Sequence, residues 1–76
     1  MIVTIKYFGM IAEKMQKDTE KIEFEKATNL RVFFNQRNPF LNNINYKIAI
    51  NQQITDNLTV EDNLAEIALL PPFAGG

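Results

Sequence analysis

Between Thr19 and Phe40 the chain reads TEKIEFEKATNLRVFFNQRNPF. Over Thr19–Glu25 the polarity alternates at every step, with Ile22 and Phe24 on one side and Lys21, Glu23 and Glu25 on the other, the two-residue period of a strand with one dry face. After Thr28 or Asn29, either of which can cap a helix through its side-chain oxygen, Leu30, Phe33, Phe34 and Arg37 recur at three- and four-residue spacing. Pro39 then disfavours helical geometry at Asn38. Phe40 and Leu41 are expected to fold back on the helix's apolar side. A strand running straight into an amphipathic helix is the unit around which the remaining segments must be arranged.

On its N-terminal side, Ile2–Phe8 predicts another strand, with Val3, Ile5 and Tyr7 facing inward and Ile2, Thr4, Lys6 and Phe8 outward. Gly9 follows, and Met10–Gln16 carries Ile11 and Met15 four apart, enough for a short amphipathic helix. On its C-terminal side, Asn42–Asn45 is turn-forming. Tyr46, Ile48 and Ile50 then share one parity of a strand that has Lys47 and Ala49 on the other. Asn51–Asn57 can turn back as a short hairpin through Ile54, Leu58, Val60 and Leu64 punctuate a loop, and Glu66–Leu70 reads as the last strand with Ile67 and Leu69 inward. The predicted fold is α+β: a mixed sheet with one main helix across one face. A ubiquitin-like β-grasp fits this order, and periodicity alone leaves ferredoxin-like and other α+β layouts open. The expected organisation is a β-grasp domain over residues 1–70 and an extended tail over 71–76, with no internal repeat.

Composition narrows the chemistry. A chain of 76 residues buries only about 60% of the surface its unfolded form exposes, so its core must be efficient. The formal net charge of -1 gives no field that recruits nucleic acid or an anionic membrane. There is no Cys, which removes disulfides and thiolate metal sites and suits a reducing, cytoplasmic location. The apolar start is too short and too interrupted by Thr4 and Lys6 for a signal peptide or membrane span. His and Ser are absent as well, so the usual nucleophiles and the side chain that titrates near neutrality are missing. Carboxylates, Lys, Tyr and Thr remain, each needing a dry pocket to shift its pKa. The charges at Glu13 and Lys14, at Glu23 and Glu25, and at Glu61 and Asp62 read as solvated surface, and Phe33 and Phe34 as core. No metal site is expected.

Two apolar residues fall on the polar side of their strands. Phe8 shares a side with Thr4 and Lys6, and Leu70 with Glu66 and Ala68; both stand at strand ends and are expected to be exposed. If the first and last strands are parallel neighbours, Phe8 and Leu70 come together where the tail departs, the beginning of a docking patch. The tail itself is Pro71-Pro72-Phe73-Ala74-Gly75-Gly76. The prolines fix φ and lack N–H donors, so a strand cannot continue through them. Gly75 and Gly76 carry no side chain that would obstruct access to the final carboxylate.

The stretch ALLPPFAGG resembles the C-terminal signature of the small-subunit family of molybdopterin synthase, ubiquitin-like sulfur carriers, and the similarity extends to IVTIKYFGMIAEKMQKDTEKIEF and to IAINQQI, the latter also similar to the thiazole-forming carriers. The resemblance implies that the Gly76 carboxylate is adenylated and then thiocarboxylated, and that the tail inserts into a large subunit where its sulfur builds the dithiolene of molybdopterin on cyclic pyranopterin monophosphate. Carried over by position, Gly76 is the reacting residue, Gly75, Ala74, Phe73, Pro72 and Pro71 enter the partner, and Phe8 and Leu70 match apolar contact positions. The implied partners are the large synthase subunit, a ubiquitin-activating-like adenylyltransferase and a sulfur donor. No cofactor is expected on the chain itself, ATP being consumed by the activating enzyme, and the chain alone is expected to be a non-catalytic sulfur-donor subunit. A carrier for thiazole or another thiolated product, a protein modifier conjugated through Gly76, and a β-grasp interaction module with an unused tail remain open alternatives.

Overall fold

The computed structural model describes residues 1–72. Its elements follow the order β1 (Ile2–Tyr7), α1 (Gly9–Met15), β2 (Thr19–Glu23), α2 (Leu30–Arg37), a 3-10 turn (Pro39–Asn43), β3 (Lys47–Ile50), β4 (Gln53–Ile54) and β5 (Glu66–Leu70). The strands form one five-stranded sheet in the order β2-β1-β5-β3-β4. β1 and β5 are parallel at its centre, and every other neighbouring pair is antiparallel. This is the β-grasp arrangement. Because β1 and β2 pair antiparallel across α1, that helix is not a crossover between parallel strands, and the ferredoxin-like alternative falls.

The strand-to-helix unit forms as its periodicities require, with one boundary moved. β2 ends at Glu23 because its partner runs out there: Glu23 faces Ile2, the first residue of β1. Phe24 nevertheless stays inward, 3% exposed, and its N–H donates to the Met1 carbonyl at 2.8 Å. Of the two candidate caps, Asn29 is the one used, its Oδ1 accepting from the Val32 N–H at 3.0 Å, whereas Thr28 Oγ1 donates to the Glu25 carbonyl. α2 ends at Arg37, two residues before Pro39, and the 3-10 turn brings Leu41 back into the core.

Val3, Ile5 and Tyr7 of β1, Ile48 of β3, and Ile67 and Leu69 of β5 line the inner face of the sheet and join Ile11, Leu30, Phe34 and Leu41 in one buried cluster. Phe24, Phe33 and Phe34 meet edge to face, with ring centroids 4.7–6.2 Å apart, a geometry that adds to simple burial. Leu58, Val60 and Leu64 close the cluster from the loop as expected. On the outer face, however, Ala49 and Ala68 are buried although their parity points away from the core. They face each other across β3 and β5, and such short side chains lie below longer neighbours, including the Lys6–Glu66 ion pair at 2.9 Å.

Candidate functional site

Parallel pairing of β1 with β5 puts the C-terminal ends of both strands at the same end of the sheet. The last paired residues are Tyr7 and Leu69. One step further, Phe8 and Leu70 stand level, and their surroundings then differ. Phe8 leaves the strand and becomes the N-cap of α1, with extended φ and ψ of -129° and 153°. Its carbonyl accepts from the N–H groups of Ile11 and Ala12 at 3.1 and 3.3 Å, and the residue is 45% exposed.

Leu70, expected to be exposed like Phe8, is half-buried instead. It is the final residue of a central strand and is paired with Lys47 of β3, whereas Phe8 lies past the last pairs that β1 makes with β2 and β5. Pro71 is half-buried and Pro72 exposed. Pro71 cannot donate to a ladder, and β5 stops at Leu70. Phe73, Ala74, Gly75 and Gly76, assigned from the sequence to the reacting tail, lie outside the described residues.

Met10, two residues after Phe8, is also exposed, at 41%. A groove of about 480 Å³ is lined by Phe8 together with Lys6, Tyr7, Gly9, Asp18 and Thr19 among others. A second depression of about 220 Å³ at the opposite edge is lined by Asn51, Asn57, Glu61 and Asn63. Its polar groups bond largely to one another: Asn57 Nδ2 donates to Glu61 Oε1 at 3.3 Å, and Asn51 Nδ2 to the Asn63 carbonyl at 3.0 Å. Among the described residues no group of three or more Asp or Glu side chains stands together as a metal site, and no helix is long and apolar enough to cross a membrane.

Three residues that fix this geometry were not singled out by periodicity. Glu20 has the inward parity of Ile22 and Phe24, and a carboxylate in an apolar stripe was the available signal. Its side chain is 15% exposed and is held by Arg37 Nη2 at 2.8 Å, by the Tyr7 hydroxyl at 2.7 Å and by Lys17 Nζ at 3.5 Å. Burial by itself would raise its pKa, but the hydrogen bonds from Tyr7 and Arg37 and the two nearby positive charges outweigh burial and hold it below the ordinary glutamate value. Burial, and then the Glu20 carboxylate, push the Tyr7 hydroxyl upward.

Asn51 sits at φ 50°, a left-handed conformation that Asn tolerates better than most residues. Its Oδ1 accepts from the Ala65 and Glu66 N–H groups at 3.0 and 3.1 Å, so this one side chain fixes where β5 begins. Gly9 is the only glycine of the chain outside the tail, a signal that its position requires something of the backbone. Its φ is +52°, and it faces the Pro71 ring.

No family model matches the chain. Among solved structures, it is similar to molybdopterin converting factor, subunit 1, from Pyrococcus furiosus, with a TM-score of 0.73 over 95% of this chain and 98% of that one at 19% identity. That likeness establishes the fold. A second similar chain comes from the complex of subunits 1 and 2 of molybdopterin-converting factor from Helicobacter pylori, with 29% identity, complete coverage of both chains and a TM-score of 0.65. The resemblance read from the tail and the strands thus has structural neighbours of the same description.

Proposed function

We propose that this protein is the sulfur-carrier subunit of a molybdopterin synthase and carries sulfur as a thiocarboxylate on Gly76. The observation that carries the reading is the end-to-end structural likeness to a subunit 1 taken from a complex with subunit 2, in a chain whose last strand runs parallel to β1 and is followed in the sequence by PPFAGG. Support for a donor role also comes from composition, since a chain without His, Cys or Ser has no ordinary nucleophile and leaves acid–base work to its partners. Absence of Cys suits the cytoplasm. In this reading Leu70 divides a folded domain from a reacting tail, and the chain holds no cofactor of its own.

An ionised carboxylate is a poor electrophile, so the chemistry begins with activation. A Gly76 carboxylate oxygen attacks the α-phosphorus of ATP on an adenylyltransferase; the bond between the α-phosphorus and the bridging oxygen breaks and pyrophosphate leaves. Sulfur supplied at the sulfide level then attacks the acyl carbon, AMP departs with the bridging oxygen, and a thiocarboxylate remains. Within the large subunit that sulfur is transferred to cyclic pyranopterin monophosphate. Phe8, Leu70 and Met10 form the apolar surface that docks on the partners, while Pro71, Pro72, Phe73, Ala74 and Gly75 lead the reacting end into a narrow channel.

The test is incubation with a competent adenylyltransferase, ATP and hydrosulfide, followed by intact mass measurement. Exchange of one oxygen for one sulfur at the C-terminus is expected, and an unchanged mass sinks the reading. Adding the large subunit and pyranopterin should then yield molybdopterin. A thiocarboxylate that forms but makes none would mean a carrier for a different acceptor.

A further inference from the structure

We propose that Gly9 is the positioning residue for the tail: its bare Cα seats the Pro71 ring and thereby sets the direction in which the chain leaves the sheet. The use made of that direction rests on the sulfur-carrier reading above. A Cβ built on Gly9 would lie 3.0 Å from Pro71 Cγ and 4.0 Å from its Cδ. The first distance is well inside the roughly 3.5–4.0 Å at which carbon atoms pack comfortably. A flexible side chain could swing away from such a contact, whereas the pyrrolidine ring has no other rotamer to adopt and yields only by a change of pucker or with its backbone.

Both sides of the contact are anchored. Gly9 opens α1, whose first turn hangs from the Phe8 carbonyl and whose Ile11 is fully buried. Pro71 directly follows Leu70, the last residue paired to β3. What can yield is therefore the pucker of the Pro71 ring and the backbone at Pro71, beyond the last ladder. A side chain at position 9 displaces the start of the tail while Phe8 and the sheet keep their places. The effect is distinct from the backbone preference of Gly9, whose φ of +52° disfavours most L residues but is tolerated by Asn.

Gly9→Asn thus adds the Cβ with little added backbone strain, and Pro71→Ala removes the Cγ that it meets. In pyrophosphate release by the adenylyltransferase, Gly9→Asn should leave KM for the carrier within about threefold and lower kcat by roughly three- to tenfold, since the 3.0 Å contact asks the start of the tail to give by less than the ångström that costs about 100-fold. The double variant Gly9→Asn/Pro71→Ala loses the clash but also the ring, so it should match Pro71→Ala alone, which is impaired less than Gly9→Asn. Normal kcat in Gly9→Asn, or a double variant as impaired as Gly9→Asn, overturns the proposal.

A second measurement is independent of any activity. The chain has no Cys, so Ala74→Cys accepts one spin label, and its broadening of the Met10 and Lys47 amide signals reports the direction of the tail. The pattern should shift in Gly9→Asn and weaken alike in Pro71→Ala and in the double variant, which both lack the ring; an identical pattern in all four proteins overturns the proposal. If unsubstituted protein shows no pyrophosphate release while the broadening changes as stated, the sulfur-carrier reading has failed and the positioning role stands.

Discussion

The Tyr7 hydroxyl donates to Glu20 Oε2 at 2.7 Å while Arg37 Nη2 holds the other carboxylate oxygen at 2.8 Å, so one carboxylate joins β1, β2 and the last turn of α2. Tyr7 is the final paired residue before Phe8, and the carboxylate therefore braces the strand end from which the apolar surface projects.

This bracing predicts a pH profile. Glu20 titrates below its ordinary value of 4.5 when folded, so the folded state binds its proton less readily than the unfolded chain does. Its stabilisation is present above the unfolded pKa and is lost as pH falls through the folded one. Tyr7 and Tyr46 are raised above 10.0, which has the opposite sense: their contribution is intact below the unfolded value and declines as pH rises beyond it. Thermal unfolding should show stability falling on both flanks. Tyr7→Phe should cost about 1–2 kcal/mol near neutrality, about 4–8 °C in Tm per kcal/mol for a domain of this size. Its difference from the unsubstituted protein should narrow as Glu20 becomes protonated; a difference constant with pH would show that the hydroxyl acts through packing alone.

Asn51 is expected to be the most sensitive polar position outside the core. Replacing it with Ala removes three hydrogen bonds to the Asn63–Glu66 segment and leaves a residue poorly suited to φ 50°. A loss of about 2–3 kcal/mol is expected by calorimetry, with the Glu66 amide among those whose hydrogen exchange accelerates most. Asn51→Gly should recover the backbone share of the loss but not the hydrogen bonds.

Phe8→Glu separates docking from folding. The residue is 45% exposed and lies past the end of β1, so thermal stability should change by no more than about 0.5 kcal/mol. Affinity for the large subunit, read by titration calorimetry, should drop at least tenfold, since an apolar anchor is replaced by a charge that must be desolvated. A collapse of stability would instead place Phe8 in the core.

Deleting Gly76 should abolish pyrophosphate release by the adenylyltransferase and leave Tm within about 1 °C, because the last strand ends at Leu70 and a terminus beyond it contributes little to the core. A large fall in Tm would assign the tail a structural role.

By itself the sequence determined the elements and what the chain can offer chemically. Alternation at two marked Thr19–Glu25 as a strand facing inward at Ile22 and Phe24, of which Thr19–Glu23 forms the strand, spacing at three and four set the face of α2, and Pro39 set its end; each is a preference of the local backbone, written in neighbouring residues. The absence of His, Cys and Ser was equally legible. Only the tertiary structure decided which strand ends share an edge, because the β1–β5 pairing joins residues more than sixty positions apart, Thr4 with Glu66, and no local pattern encodes a partner. It also decided that Leu70 is covered while Phe8 is not, since cover comes from a neighbouring strand rather than from parity. The same holds for Glu20, Asn51 and Gly9: a carboxylate among apolar residues, an asparagine after a strand and a lone glycine acquire their roles only when Tyr7, the Ala65 amide and the Pro71 ring are brought against them.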